Sequence, residues 1–347
     1  MNVVREVARA YAGVPGVVAV ALGGSAAAGC ADEASDVDLY VYSREPLSLP
    51  VRRDVATRIS ANPEVGADAW EPGDEWIDDG AGIHVDIIFR TPNWIEDRLD
   101  AVLVRHEASI GYSTALWRNV LRSVPLVDPD GWFAGLQSRA DVPYPAALKQ
   151  AIVAKNHPLL RDALSSFRAQ ILRAAGRGDA VAVQHRTTAL LASFFDVLFA
   201  LNERPHPGEK RLLRFAREEC PKRSPDLDIR LAELLAATCP AEPAALAGAV
   251  DALLDGLDGL LAADDLITPR GATVSFAVTK RLFQNPASSP RPAPPRHPDF
   301  VEESRRCLAE GGNDEIPRQA RDDGSSRRGR GMARAQNATH DRSNRDR

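Results

Sequence analysis

A single stretch near the N-terminus restricts the fold of this chain more than any other. Residues 17–22 form an apolar run that enters Gly23-Gly24-Ser25, and after ten intervening residues Asp36-Val37-Asp38 opens a second apolar run ending at Tyr42. Short apolar runs bounded by turn residues predict two buried strands. Side chains alternate faces along a strand, so Asp36 and Asp38 point the same way. Two such carboxylates repel each other unless a cation lies between them, and a hard, oxygen-seeking ion such as Mg2+ meets that need. The glycines ahead of them let backbone N–H groups come close to a phosphate.

A third carboxylate extends the pattern. Residues 82–90, Gly-Ile-His-Val-Asp-Ile-Ile-Phe-Arg, read as another buried strand in which His84 and Asp86 interrupt the apolar run. A lone buried aspartate is costly, so Asp86 needs a partner. If this strand lies beside the Asp36/Asp38 strand, three carboxylates meet at one sheet edge and can hold two metal ions that neutralise a triphosphate. Each feature alone has a plainer reading. Gly-Gly-Ser makes an ordinary tight turn, paired aspartates can face solvent, and Asp86 could cap a helix. Their order in one chain speaks for a site. His84 is read as a hydrogen-bonded neighbour of Asp86.

The Gly-Ser turn, its short helix, the hydrophobic-Asp-hydrophobic-Asp-hydrophobic strand and the later Val85-Asp86-Ile87 strand together resemble the polymerase beta-type nucleotidyltransferase superfamily. The resemblance covers residues 1–125. It implies that Gly24 and Ser25 contact the phosphates of a nucleoside triphosphate. It also implies that Asp36, Asp38 and Asp86 are catalytic carboxylates holding two Mg2+ ions. A minimal catalytic sheet joined directly to a helical domain is similar to the small-molecule branch, the aminoglycoside and lincosamide nucleotidyltransferases. That branch implies ATP as donor and a small-molecule hydroxyl as acceptor.

The predicted elements follow this scheme. Helix 3–12, strand 17–22, the turn with its short helix, strand 37–43, helix 51–59 and strand 65–70 come first. Residues 71–80, acidic and containing Pro72-Gly73, read as a solvated loop. Strand 82–90 and a helix over 94–106, capped by Asn93, complete the sheet unit. Asp128-Pro129-Asp130-Gly131 mimics the earlier Asp pair, but its Pro and Gly favour a structural turn into a helix. Helices are expected at 145–157, 159–175, 180–201, 208–218, 227–237 and 243–263, with a strand-like run at 272–278.

The fold class expected is therefore α+β: a small mixed sheet flanked by helices (1–125), an all-helical bundle domain (126–284) and a disordered Pro/Arg-rich tail (285–347). Residues 286–347 hold 13 Arg and 10 Asp or Glu, which leaves 30 basic and 38 acidic residues in the body. A body charge of −8 suits a cationic acceptor such as an aminoglycoside, through an anionic cleft. With no extended basic face, nucleic acid is not an expected main partner. The Arg-Arg-Gly-Arg-Gly run at 327–331 could brush RNA, although a silent extension is the plainer reading.

Cys30, Cys220, Cys239 and Cys307 form no CxxC pair, which speaks against a disulfide framework or zinc site. Without a leader-like start or a run near the ~18 apolar residues a membrane span needs, a cytoplasmic protein is expected.

One further candidate lies in the helical part, where Asn202-Glu203-Arg204-Pro205-His206-Pro207-Gly208-Glu209-Lys210-Arg211 separates two helices. Resemblance to small-molecule nucleotidyltransferases implies a lysine facing the cleft there. Lys210 would steady the triphosphate as a point charge, against the plainer reading of a solvated helix face. Asp196 and Glu203 are weaker candidates.

The expected activity is Mg-dependent transfer of a nucleoside monophosphate to a small-molecule hydroxyl with release of pyrophosphate, and Asp86 or a helical-domain carboxylate takes the proton. The alternatives are a catalytically weak, antitoxin-like nucleotide-binding regulator, or AMP transfer to protein or RNA.

Overall fold

The computed structural model describes residues 2–27, 36–67, 71–80 and 82–268. The described residues lie in one compact unit. The tail and the strand expected at 272–278 lie outside the described residues.

Six strands form one mixed sheet: β1 (Val17–Leu22), β2 (Val37–Ser43), β3 (Glu64–Ala67), β4 (Gly73–Ile77), β5 (His84–Arg90) and β6 (Val124–Val127). Their order is β3-β4-β5-β2-β1-β6. β2 and β5 run parallel, and the other neighbouring pairs are antiparallel.

Alternation along β2 explains what covers the sheet. Val37, Leu39 and Val41 pack against α1 (Asn2–Ala12) and α3 (Leu49–Ile59), where they meet Val7, Tyr11 and Val55. Tyr40 and Tyr42 face the opposite layer of α4 (Pro92–Leu103), α5 (Ala115–Arg122), α6 (Trp132–Ala140) and α7 (Ala146–Arg161), among Ile95, Trp117, Phe133 and Ile152. Because both faces are covered, β2 is apolar nearly throughout. Asp38 is its charged exception, on the Tyr40 face.

Beyond the sheet, α8 (Phe167–Ala175), α9 (Ala180–Leu201), α10 (Leu212–Glu219), α11 (Leu227–Ala237) and α12 (Pro243–Ala263) enclose a second core around Phe194, Phe199, Leu253 and Leu257. Ala200 of α9 reaches the sheet-side core as well, so this helix joins the two layers.

Three local expectations are corrected. Residues 71–80 are not a solvated loop throughout, since β4 runs through them and pairs with β3 and β5. The cause is a buried ion pair: Arg52 on α3 holds Asp74 at 2.5 Å, and Asp74 also accepts the Gly66 N–H of β3 at 2.9 Å. Helix α4 is capped by Thr91 rather than Asn93, with the Thr91 hydroxyl accepting the Trp94 N–H and Pro92 taking a first-turn position that needs no donor. Helix α7 continues through Pro158 to Arg161, and the chain restarts at Ser166, which caps α8. Bonds from His157 and Arg161 to Asp258 (2.6 and 2.5 Å) tie that last turn of α7 to α12.

Helix α9 also buries Asp196, which accepts the Ser113 N–H (3.0 Å), the Ser113 hydroxyl (2.6 Å) and the Asn156 amide (3.2 Å). Burial pushes its carboxyl up to about 6, and the Ser113 bonds oppose the shift. The unfolded carboxyl titrates near 3.8, so the folded chain keeps the extra proton between those two values. This group's contribution is therefore present at low pH and is lost as pH rises through about 6. Asp196→Asn should flatten the decline of the thermal midpoint across that window. A slope identical to wild type would contradict the assignment.

Candidate active site

The end of β1 and the start of β2 build the first wall of the site. The Gly23 N–H donates to the Asp38 carbonyl at 2.8 Å. A Cβ at Gly23 would lie 2.1 Å from the Tyr40 ring, and at Gly24, where φ is +59°, a Cβ would lie 1.7 Å from Asp38 Oδ2. The two glycines thus answer to different neighbours, an aromatic ring and a carboxylate. Gly24 opens the short helix α2 (Gly24–Ala27) directly over Asp38. Ser25 is its second residue, and the Ser25 side chain lies outside the described residues.

Strand register builds the second wall. Asp38 on β2 is the cross-strand partner of Asp86 on β5, and Asp86 is the partner of Glu75 on β4. Three carboxylates therefore form a row on one face of adjacent strands, which are spaced about 4.8 Å apart. Burial pushes the Asp38 carboxyl up, Lys210 opposes that, and Asp36 adds to it. Burial also raises the Asp86 carboxyl, with the charges of Asp38 and Glu75 adding to the effect. Glu75 is the site residue that sequence reasoning missed. The signal was present in Gly73-Asp74-Glu75-Trp76-Ile77, where Asp74 and Trp76 turn inward and Glu75 is left on the Asp86 face.

Asp36 stands two residues before Asp38, at the mouth of the row. Its carboxylate lies 4.0 Å from Lys210 Nζ and 3.9 Å from His84 Nδ1, while His84 Nε2 bonds Glu75 at 3.0 Å. Lys210 thus comes from 174 residues beyond Asp36 in the chain to face the aspartates. The other candidates are occupied elsewhere. Asp196 is bonded within the helical layers as described, and Glu203 pairs with Lys149 at 2.8 Å. Asp128 accepts the Phe133 and Ala134 N–H groups at the start of α6, and Asp130 lies 3.8 Å from Arg44, so this second Asp pair is structural.

Among the described residues, no group of three or more His, Cys, Asp or Glu side chains is gathered closely enough to hold a metal ion. Asp36 is turned toward Lys210 and His84, so the carboxylates that face each other are Asp38 and Asp86. Hard oxygen donors that repel each other suit Mg2+, which needs only one or two carboxylates and fills its shell with water and phosphate oxygens. By donor chemistry the pair fits such an ion.

Residues 1–107 match the family model described as nucleotidyltransferase domain. This part of the chain is therefore similar to a nucleotidyltransferase domain. Over 76% of its length the chain aligns with a nucleotidyltransferase-like protein from Exiguobacterium sibiricum 255-15, of which it covers 77%, at 12% identity and a TM-score of 0.39. A CCA-adding enzyme in its apo form I aligns at 17% identity over 68% of this chain and 56% of that one, with a TM-score of 0.26. No curated protein matches the sequence. No helix among the described residues is long and apolar enough to cross a membrane.

Proposed function

We propose that the nucleotidyltransferase domain moves AMP from ATP to a hydroxyl of a small molecule and releases pyrophosphate. The observation that carries this reading is the row Glu75–Asp86–Asp38, which ends under the Gly23-Gly24 turn with Lys210 facing it. The Gly24-Ser25 turn would take the outer phosphates, and Lys210 would steady their charge. Asp38 and Asp86 would hold Mg2+, whose chemistry is to neutralise the triphosphate and polarise the α-phosphorus, while Asp36 would stand beside Lys210 at the mouth of the row. The acceptor oxygen forms a bond to the α-phosphorus as the bond to the bridging oxygen of pyrophosphate breaks. Asp86, which faces Asp38 across the strand pair, takes the acceptor proton. Orienting the acceptor against a fixed phosphate supplies much of the rate. The net charge of −8 over residues 1–285 favours a small, cationic acceptor over a polynucleotide.

Label transfer from ATP carrying 32P at the α-phosphate tests this reading across aminoglycosides, a lincosamide, RNA and the protein itself. Label on a small molecule is the expected result. Label on RNA or protein would refute the small-molecule assignment, and nucleotide uptake without transfer would favour a regulatory binder.

Gly24→Ala should cut transfer about tenfold or more, since it strains a left-handed backbone position and drives a methyl into Asp38. Wild-type rates in that variant would contradict the placement of the turn over Asp38.

A further inference from the structure

Lys210 reaches the site on an unusual length of chain. Its side chain is 76% exposed, so no packing holds it in place, and its position depends on where the backbone delivers it. The segment between α9 and α10 bends through three positive-φ residues, Glu203 (54°), Gly208 (94°) and Arg211 (59°). Such a path needs fastening. Asn202 clasps the Lys222 backbone at 2.8 and 2.9 Å, and Arg118, paired with Glu219, donates to the Pro205 carbonyl at 3.2 Å.

The last anchor before Lys210 is His206. Its ring is fully buried between Tyr112 and Phe199, at centroid distances of 5.0 and 5.2 Å. Its backbone N–H donates to the Thr114 hydroxyl at 2.8 Å, and Nδ1 accepts the Gly208 N–H at 3.1 Å. An accepting Nδ1 requires a neutral ring with its proton on Nε2. Burial, reinforced by Arg118, keeps it so by pushing the imidazole down to about 4.

We infer that His206 is a positioning residue for nucleotide binding: by holding Gly208 through Nδ1 while Thr114 holds its own backbone, it sets the turn that aims Lys210 at Asp36 and Asp38. The inference rests on the reading of those aspartates as a nucleotide site. It predicts that His206 matters to the nucleotide only through Lys210. His206→Phe keeps an aromatic ring in the same packing but removes the acceptor. His206→Asn offers an amide oxygen near the place of Nδ1.

The test is a double-variant cycle read by calorimetric titration of Mg-ATP, with the thermal midpoint recorded for every variant. His206→Phe and Lys210→Ala should each weaken binding about tenfold, the range expected for losing one hydrogen bond or one charge contact. His206→Asn should stay within about twofold of wild type. In the Lys210→Ala background, His206→Phe should add less than about twofold. Full additivity in the cycle, or failure of His206→Asn to restore binding, would overturn the positioning role. A lowered thermal midpoint with unchanged binding would also overturn it by assigning His206 to the core alone. Wild-type protein that takes up no Mg-ATP would instead overturn the reading of the site itself.

Discussion

Asp38→Asn is expected to lower nucleotidyl transfer by about 10³-fold, the scale seen when one preorganised electrostatic group is removed from an active site. The replacement is nearly isosteric, and the backbone carbonyl that accepts the Gly23 N–H remains. What disappears is a negative charge facing Asp86 and lying under Gly24. Because burial already raises the Asp38 carboxyl, its ionised form is a burden on the folded chain, and Asp36 adds to that burden. An uncharged amide should therefore leave the thermal midpoint unchanged or slightly raised while activity collapses. Such opposed changes distinguish a site carboxylate from a structural one. A fall in both would place Asp38 in the scaffold, and wild-type turnover would remove it from the chemistry.

Asp74→Ala is expected to have the largest effect on stability. Asp74 and Arg52 are 0% and 9% exposed in their side chains, and the pair is nearly closed off from water. Arg52 also donates to the Gly73 carbonyl and lies 4.2 Å over the Phe89 ring. Deleting the carboxylate leaves a buried guanidinium without its countercharge and strips the Gly66 N–H of its acceptor. Breaking one side of such a pair costs about 3–5 kcal/mol. For a unit of this size that corresponds to a midpoint lowered by about 10 °C. Replacing both partners with apolar residues, Arg52→Met with Asp74→Leu, should recover much of the loss, because no charge is then stranded. A drop below about 1 kcal/mol in Asp74→Ala would mean that β4 is held by its neighbours alone.

These two aspartates also mark where the sequence was legible. Strands β1 and β2 follow from apolar runs with local turn signals, and α9, α11 and α12 from long apolar periodicity, so their limits could be read directly. Asp38 and Asp86 could be paired because a charge inside an apolar strand demands a partner and few were on offer. Strand β4 could not be read that way. Its Asp74 is tolerated only because Arg52, on a helix 22 residues earlier, lies against it, and no local pattern displays that contact. Glu75 was lost with it.

The boundary between α7 and α8 was misplaced for a similar reason. Pro158 reads as a break, yet the bonds of His157 and Arg161 to Asp258 on a distant helix hold the last turn together. Lys210 stood between two readings in the sequence, since a Lys-Arg pair at a helix start looks the same on a solvated face as at a site. Its proximity to Asp36 depends on the fastening of residues 202–208 to α5 and α9, a tertiary property.

Pyrophosphate release from ATP is the most direct measurement of the proposed chemistry, made with the wild-type protein and an acceptor, in Mg2+ and again in excess EDTA. Release that requires Mg2+ and the acceptor, and that is absent from the Asp38→Asn, Asp86→Asn double variant, is the expected result. Release that persists in EDTA or in the double variant would contradict a transfer site built on the Asp38–Asp86 pair.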